Sequence, residues 1–201
     1  MLTGTRVKEK SCLRNFTASP RSEARKNYSA ENAYVWSDDY QYSKYAARLA
    51  YMSTRLLTPL EEKPYDHYFD NADRFTDPFI EQIKSHPDIT FYLYAPPYSV
   101  LFWDDVVLRG NATATICVQE REYKKLLECE NVRLFFFQDD KDVITDLANY
   151  RDYSHYKGDI NYYMYEAMRD GTHEMHPDTY YNILLDLYNF VTTYDYEQCF
   201  H

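Results

Sequence analysis

Two residues, Asp152 and His155, are three positions apart in the segment Asn149-Tyr150-Arg151-Asp152-Tyr153-Ser154-His155-Tyr156. A carboxylate bonded to an imidazole nitrogen fixes the ring and leaves the other nitrogen able to take a proton, the arrangement of an acid–base pair. The same spacing also suits a plainer arrangement, in which the aspartate caps the loop and the histidine sits on the surface. A second match, Asp170-Gly171-Thr172-His173, shows that the spacing alone is not distinctive. Gly171 reads as the left-handed cap that ends a helix there. Ser99, after Pro96-Pro97-Tyr98, is placed for either a nucleophile or a helix cap, and with no glycine beside it the cap is favoured. Tyr150, Tyr153 and Tyr156 surround the pair, either as a stacking groove for sugars or as loop packing.

The elements around these residues follow from periodicity. Ile89–Ala95 and Val132–Phe137 are apolar and rich in β-branched or aromatic residues, and read as strands covered on both faces. Between them come a helix through Phe102, Trp103 and Val107, a turn at Gly110-Asn111, and a helix over Ile116–Glu128. Strand, two helices and strand make a parallel crossover unit. Earlier in the chain, Tyr45, Leu49, Met52 and Leu56 recur at helical spacing before Pro59, and a second helix opens at Asp77-Pro78 with Phe79, Ile80 and Ile83 as its apolar face. Later, Ile160, Met164 and Met168 mark a helix over Lys157–Arg169. Another begins near Pro177-Asp178 with Ile183, Leu184, Leu187, Tyr188 and Val191. The class is α/β and helix-rich. Residues 1–30 read as a poorly ordered arm, and residues 31–201 as one domain. With only two strands evident, the parallel sheet is incomplete, and a homo-oligomer that completes it across chains is one expectation.

The chain has 201 residues and a formal net charge of −10, which disfavours nucleic acid and anionic membrane surfaces as partners. It contains 23 Tyr but only 4 Gly, and no phosphate-binding glycine motif. Cys12, Cys117, Cys129 and Cys199 are scattered, so free thiols are expected and no zinc site. Asp139, Asp140, Asp142 and Asp146 do not match a calcium loop and read as a solvated acidic loop. No cofactor and no metal are expected. No signal peptide and no transmembrane segment is evident, which by itself places the chain in the cytoplasm. Three matches to the glycosylation pattern, at Asn15, Asn27 and Asn111, carry weight only in a secreted protein.

The strand ending Phe91-Tyr92-Leu93-Tyr94-Ala95-Pro96-Pro97-Tyr98-Ser99, Trp103 after it, the run Val132–Phe137 and the block Ile144–Tyr156 together resemble the C-terminal half of SGNH/GDSL-type hydrolases. The likeness is to their bacterial cell-surface branch and spans roughly residues 31–192. It implies a flavodoxin-like, three-layer sheet and an esterase or acyltransferase acting on acyl groups of glycans or other cell-envelope polymers. It also implies that His155 is the base, that Asp152 orients it, and that the protein works at the cell surface. The family's nucleophile is a serine near its N-terminus. Here the corresponding context, Leu2-Thr3-Gly4-Thr5-Arg6, has Arg6 in that place, so the chain looks shortened and is expected to be inactive or nearly so. The alternative is a non-catalytic module that binds glycan or protein through a Tyr-rich, acidic surface.

Overall fold

The computed structural model describes residues 41–201, so the expected arm lies outside the described residues. Helix α1 spans Lys44–Met52 and α2 spans Phe69–Ser85. Strand β1, Phe91–Ala95, is followed by α3, Val100–Leu108, and α4, Ala112–Leu127. Strand β2, Val132–Phe136, leads to α5, Lys141–Thr145, and a 3-10 turn, Leu147–Asn149. Helix α6, Gly158–Asp170, strand β3, Glu174–Met175, helix α7, Tyr180–Thr193, and a 3-10 helix, Tyr196–Phe200, complete the chain.

The expected crossover is present. β1 and β2 pair in parallel, with Phe91 opposite Val132 and Ala95 opposite Phe136. Side chains alternate between the faces of a strand, and the helices divide accordingly. Ala95, Leu134 and Phe136 pack with Trp103 and Val106 of α3, Ile116 of α4 and Leu184, Leu187 and Val191 of α7. Phe91, Leu93 and Val132 meet Ile80 and Ile83 of α2. Phe135 and Phe137 turn to the opposite face, against Met164, Ala167 and Met168 of α6. The architecture is α/β, with helices on both sides of a small mixed sheet. At its entrance, the Asn131 carboxamide bonds the carbonyls of Ile83, His86 and Ile89, joining the end of α2 to both strands.

Several elements differ from expectation. A third strand exists: β3 is two residues long and pairs antiparallel with β2, too short to give a period-2 signal. β1 is not covered on both faces, since Tyr94 is 48% exposed. α1 stops at Met52 and buries Ala47 and Tyr51, while Tyr45, Leu49 and Met52 face solvent. The cause is polar: the Tyr51 hydroxyl donates to Asp104 at 3.0 Å, and Asp104, 1% exposed, also takes Arg55 at 2.6 Å. Burial and Asp104 push the Tyr51 phenol well above its usual range. α2 starts at Phe69, eight residues before Asp77, and Pro78 lies inside it. Pro78 gives up one intrahelical bond, and α2 is held instead by Ile80, Ile83 and the pairing of Asp73 with Arg121 and Lys125. Gly110 is required where it stands: at φ +65° a Cβ there would lie 2.2 Å from the Glu61 carbonyl oxygen.

Removing the Asp104 carboxylate leaves the Tyr51 hydroxyl and the Arg55 Nε unmatched, although Arg55 keeps Glu197. Asp104→Ala is expected to cost about 3 kcal/mol in urea unfolding. Asp105→Ala, at the partly exposed pair with Arg109, is expected to cost less, roughly 1 kcal/mol or below. Equal costs would contradict this assignment.

Candidate functional site

The loop after the 3-10 turn is fixed to the exit of β1. Tyr150 is fully buried, and its hydroxyl donates to the Pro97 carbonyl at 2.7 Å. A bridge between Tyr150 and Tyr156 closes the loop on itself. The Tyr153 carbonyl accepts from both the amide of Ser99, at 3.3 Å, and its hydroxyl, at 2.7 Å. Ser99 is therefore neither nucleophile nor side-chain cap. It occupies the N-cap position of α3, fully buried, with no side-chain capping bond, and tethers the loop instead.

This tether brings Asp152 and His155 together. His155 Nδ1 lies 2.8 Å from Asp152 Oδ2 and 3.0 Å from Oδ1. Asp152 Oδ1 also accepts the amides of Ser154, at 2.9 Å, and His155, at 2.8 Å. Burial raises the carboxyl's pKa, but the two amides and the imidazole outweigh it and hold the group below the usual carboxylate range. The two readings of the spacing thus coincide: the carboxylate caps the loop and orients the ring. An ionised acceptor at Nδ1 assigns the ring hydrogen to that nitrogen and leaves Nε2 as the basic one. Ser154 Oγ is 3.4 Å from Nδ1, on the nitrogen that Asp152 holds, and so is not placed to relay a proton to Nε2.

His155 lines a cavity of about 470 Å³ at the carboxyl ends of the strands, with Pro96, Tyr98, Phe102, Tyr153, Ser154, Tyr156 and Asn161. Tyr153 and Tyr156 line the cavity, whereas Tyr150 is core. The Phe102 and Tyr153 rings lie parallel at 6.2 Å, and Tyr98 tilts against Phe102 at 4.6 Å. The lining contains no Lys or Arg. Pro96, Tyr98, Phe102 and Asn161 were not evident from the motif. Their signal was position: the first three follow β1 directly, and Asn161 is in the first turn of α6.

The second Asp-x-x-His does not form a pair. Gly171 ends α6 in the left-handed conformation as expected, at φ 75°, while Asp170 takes the Arg169 guanidinium at 2.7 Å. His173, at φ 62°, lies instead with its Nε2 2.7 Å from the Tyr163 hydroxyl, which donates to Asp140. The acidic loop is solvated in part: Asp142 and Asp146 are exposed as expected, whereas Asp139 and Asp140 are half-buried. Asp140 caps α5 through the amide of Val143, and Asp146 caps the 3-10 turn. Asp139 has a buried oxygen, Oδ1, with no hydrogen-bond partner among the described residues, and burial raises its pKa.

Among the described residues no group of three or more His, Cys, Asp or Glu is arranged to hold a metal ion. Cys117, Cys129 and Cys199 are free thiols. No helix among those residues is long and apolar enough to cross a membrane. Comparison with known proteins finds no matching family model, no matching curated protein and no matching solved structure.

Two expected outcomes follow from this geometry. Ser99→Ala is expected to speed hydrogen exchange at the Ser154 and His155 amides while leaving β2 protected; unchanged exchange in the loop contradicts the tether. Asp139 has a raised folded-state pKa, so its ionisation opposes folding, and the penalty grows as pH rises from the unfolded carboxyl pKa through the folded one. Asp139→Asn is therefore expected to raise Tm at pH 8 and to leave it little changed at pH 4. A decrease at pH 8 would contradict this.

Proposed function

We propose that the described residues form part of an SGNH/GDSL-type hydrolase fold, with a flavodoxin-like sheet, in which His155 is the base and Asp152 its orienting carboxylate. The chemistry is that of an esterase or acyltransferase acting on acylated glycans or cell-envelope polymers. One observation carries this reading: the Asp152 carboxylate holds His155 Nδ1 at 2.8 Å, and the same histidine lines a cavity at the carboxyl ends of the parallel strands. That is where α/β folds place their ligands. In such a reaction Nε2 takes the proton of a hydroxyl as its oxygen attacks the acyl carbon, then returns it to the departing alcohol. The serine that the family uses is not recognisable in the sequence, so this chain alone is expected to be inactive or nearly so.

A second reading is favoured by the walls of the cavity. Four aromatic side chains, one carboxamide and no cation suit a neutral, hydroxyl-rich ring that stacks and hydrogen-bonds. In this case the chain is a glycan- or protein-binding module, and the Asp152–His155 pair only shapes the loop.

A fluorophosphonate probe is expected to leave the protein unlabelled. Stoichiometric labelling that is lost on changing one Ser or Thr would overturn the inactivity. Titration with an O-acetylated oligosaccharide and its deacetylated form separates the two readings. The acyl-site reading expects preference for the acetylated form and loss of that preference in His155→Ala. The binding-module reading expects equal binding of both forms, unaffected by His155→Ala. Binding of neither sugar contradicts both readings as glycan sites.

A further inference from the structure

β1 is an edge strand with the composition of an interior one. The sheet order is β1-β2-β3, so one side of β1 meets β2 and the other ends the sheet. In a parallel pair, alternate residues direct their backbone groups to the partner. The Phe91 amide donates to Asn131 O, and Ala95 O accepts from the Phe137 amide. Phe91, Leu93 and Ala95 therefore face β2, while the N–H and C=O of Tyr92 and Tyr94 point away from it. Among the described residues no strand pairs with that edge.

Exposed edges in stable monomers are usually blunted by charge, proline or a bulge. The sequence of β1, Phe-Tyr-Leu-Tyr-Ala, has none of these within it. Tyr94 is 48% exposed on the strand itself. Phe75 and Phe79, one turn apart on the helix that covers β1, are 67% and 42% exposed. The edge of β1 itself is uncharged backbone and aromatic side chain, while on α2 the Arg74 guanidinium stands 5.6 Å from the centre of the Phe75 ring.

We infer that this edge pairs with the same edge of a second copy of the chain. A two-fold axis through Leu93 sets Tyr92 of one protomer opposite Tyr94 of the other in antiparallel register, and each such pair exchanges two N–H···O bonds. The result is one six-stranded sheet, within the usual size range, in place of a three-stranded sheet with a two-residue third strand. Charge selects the place of contact. Two chains of net charge −10 repel over most of their surface, whereas β1 carries no charged residue. Association at this edge therefore strengthens as salt screens the repulsion, opposite to an interface held by ion pairs. The inference is independent of any role of His155.

The test is sedimentation equilibrium of the full chain from micromolar to several hundred micromolar, at low and high salt. The expected result is a shift from a 24.2 kDa monomer to a dimer, favoured by high salt. Tyr94→Pro removes an outward N–H and leaves the β1–β2 ladder intact, as edge positions allow. Tyr94→Lys places a charge at the edge. Both are expected to be monomeric, with unchanged circular dichroism. If the proline variant does not fold, the lysine variant decides. A wild-type monomer under all conditions overturns the inference, and so does a folded Tyr94 variant that still dimerises. Protection of the Tyr92 and Tyr94 amides in a monomer would assign the edge to residues 1–40 of the same chain.

Discussion

The Tyr153 carbonyl, bonded to both the amide and the hydroxyl of Ser99, joins the two halves of the candidate site. On one side is the exit of β1, with Pro96, Tyr98 and the start of α3. On the other is the loop that carries Asp152 and His155. With the Tyr150–Pro97 bond beside it, this contact fixes the loop across the carboxyl ends of the strands. The Tyr150 bond is buried and the Ser99 bond partly so, and an unmet donor or acceptor there costs more than in water. The loop therefore holds its shape without a regular element of its own, and the imidazole is oriented before any ligand arrives.

The same economy of contacts runs through the rest of the fold. Polar groups, buried or half-buried, mark the joints between elements. Asn131 bonds three carbonyls where α2 meets the strands, and Asp104 joins α1 to α3 through Tyr51 and Arg55. Asp140 joins α5 to α6 through Tyr163, with His173 at the start of β3. The apolar core lies between these joints, and the aromatic residues serve two ends. Phe135, Phe136 and Phe137 are core, while Tyr98, Tyr153 and Tyr156 line an open cavity.

The central crossover was legible because β1 and β2 are long enough, and apolar enough, to signal themselves, and Pro96-Pro97 and Asn131 punctuate them. α6 was legible from Ile160, Met164 and Met168, all of which are buried. The face of α1 was misread because hydrophobic spacing favours Tyr45, Leu49 and Met52, whereas the buried face is set by Ala47 and by the hydroxyl of Tyr51. The start of α2 was misread because Asp77-Pro78 has the chemistry of a helix opening, yet tertiary contacts carry the helix through it. β3 left no pattern in two residues. At the site, the Asp152–His155 pair was visible from spacing. The tether by Ser99 and the wall formed by Tyr98, Phe102 and Asn161 were not, because they depend on contacts between segments about fifty residues apart.

The pair's orientation is the claim on which the functional reading rests, and the imidazole tautomer reports it. Nitrogen-15 NMR of His155 near neutral pH distinguishes a ring protonated at Nδ1 from one protonated at Nε2. The geometry predicts the Nδ1–H tautomer in the wild-type protein, with Nε2 as the basic nitrogen, and loss of that preference in Asp152→Asn. An Nε2–H tautomer in the wild type, or one indifferent to Asp152, would contradict the account.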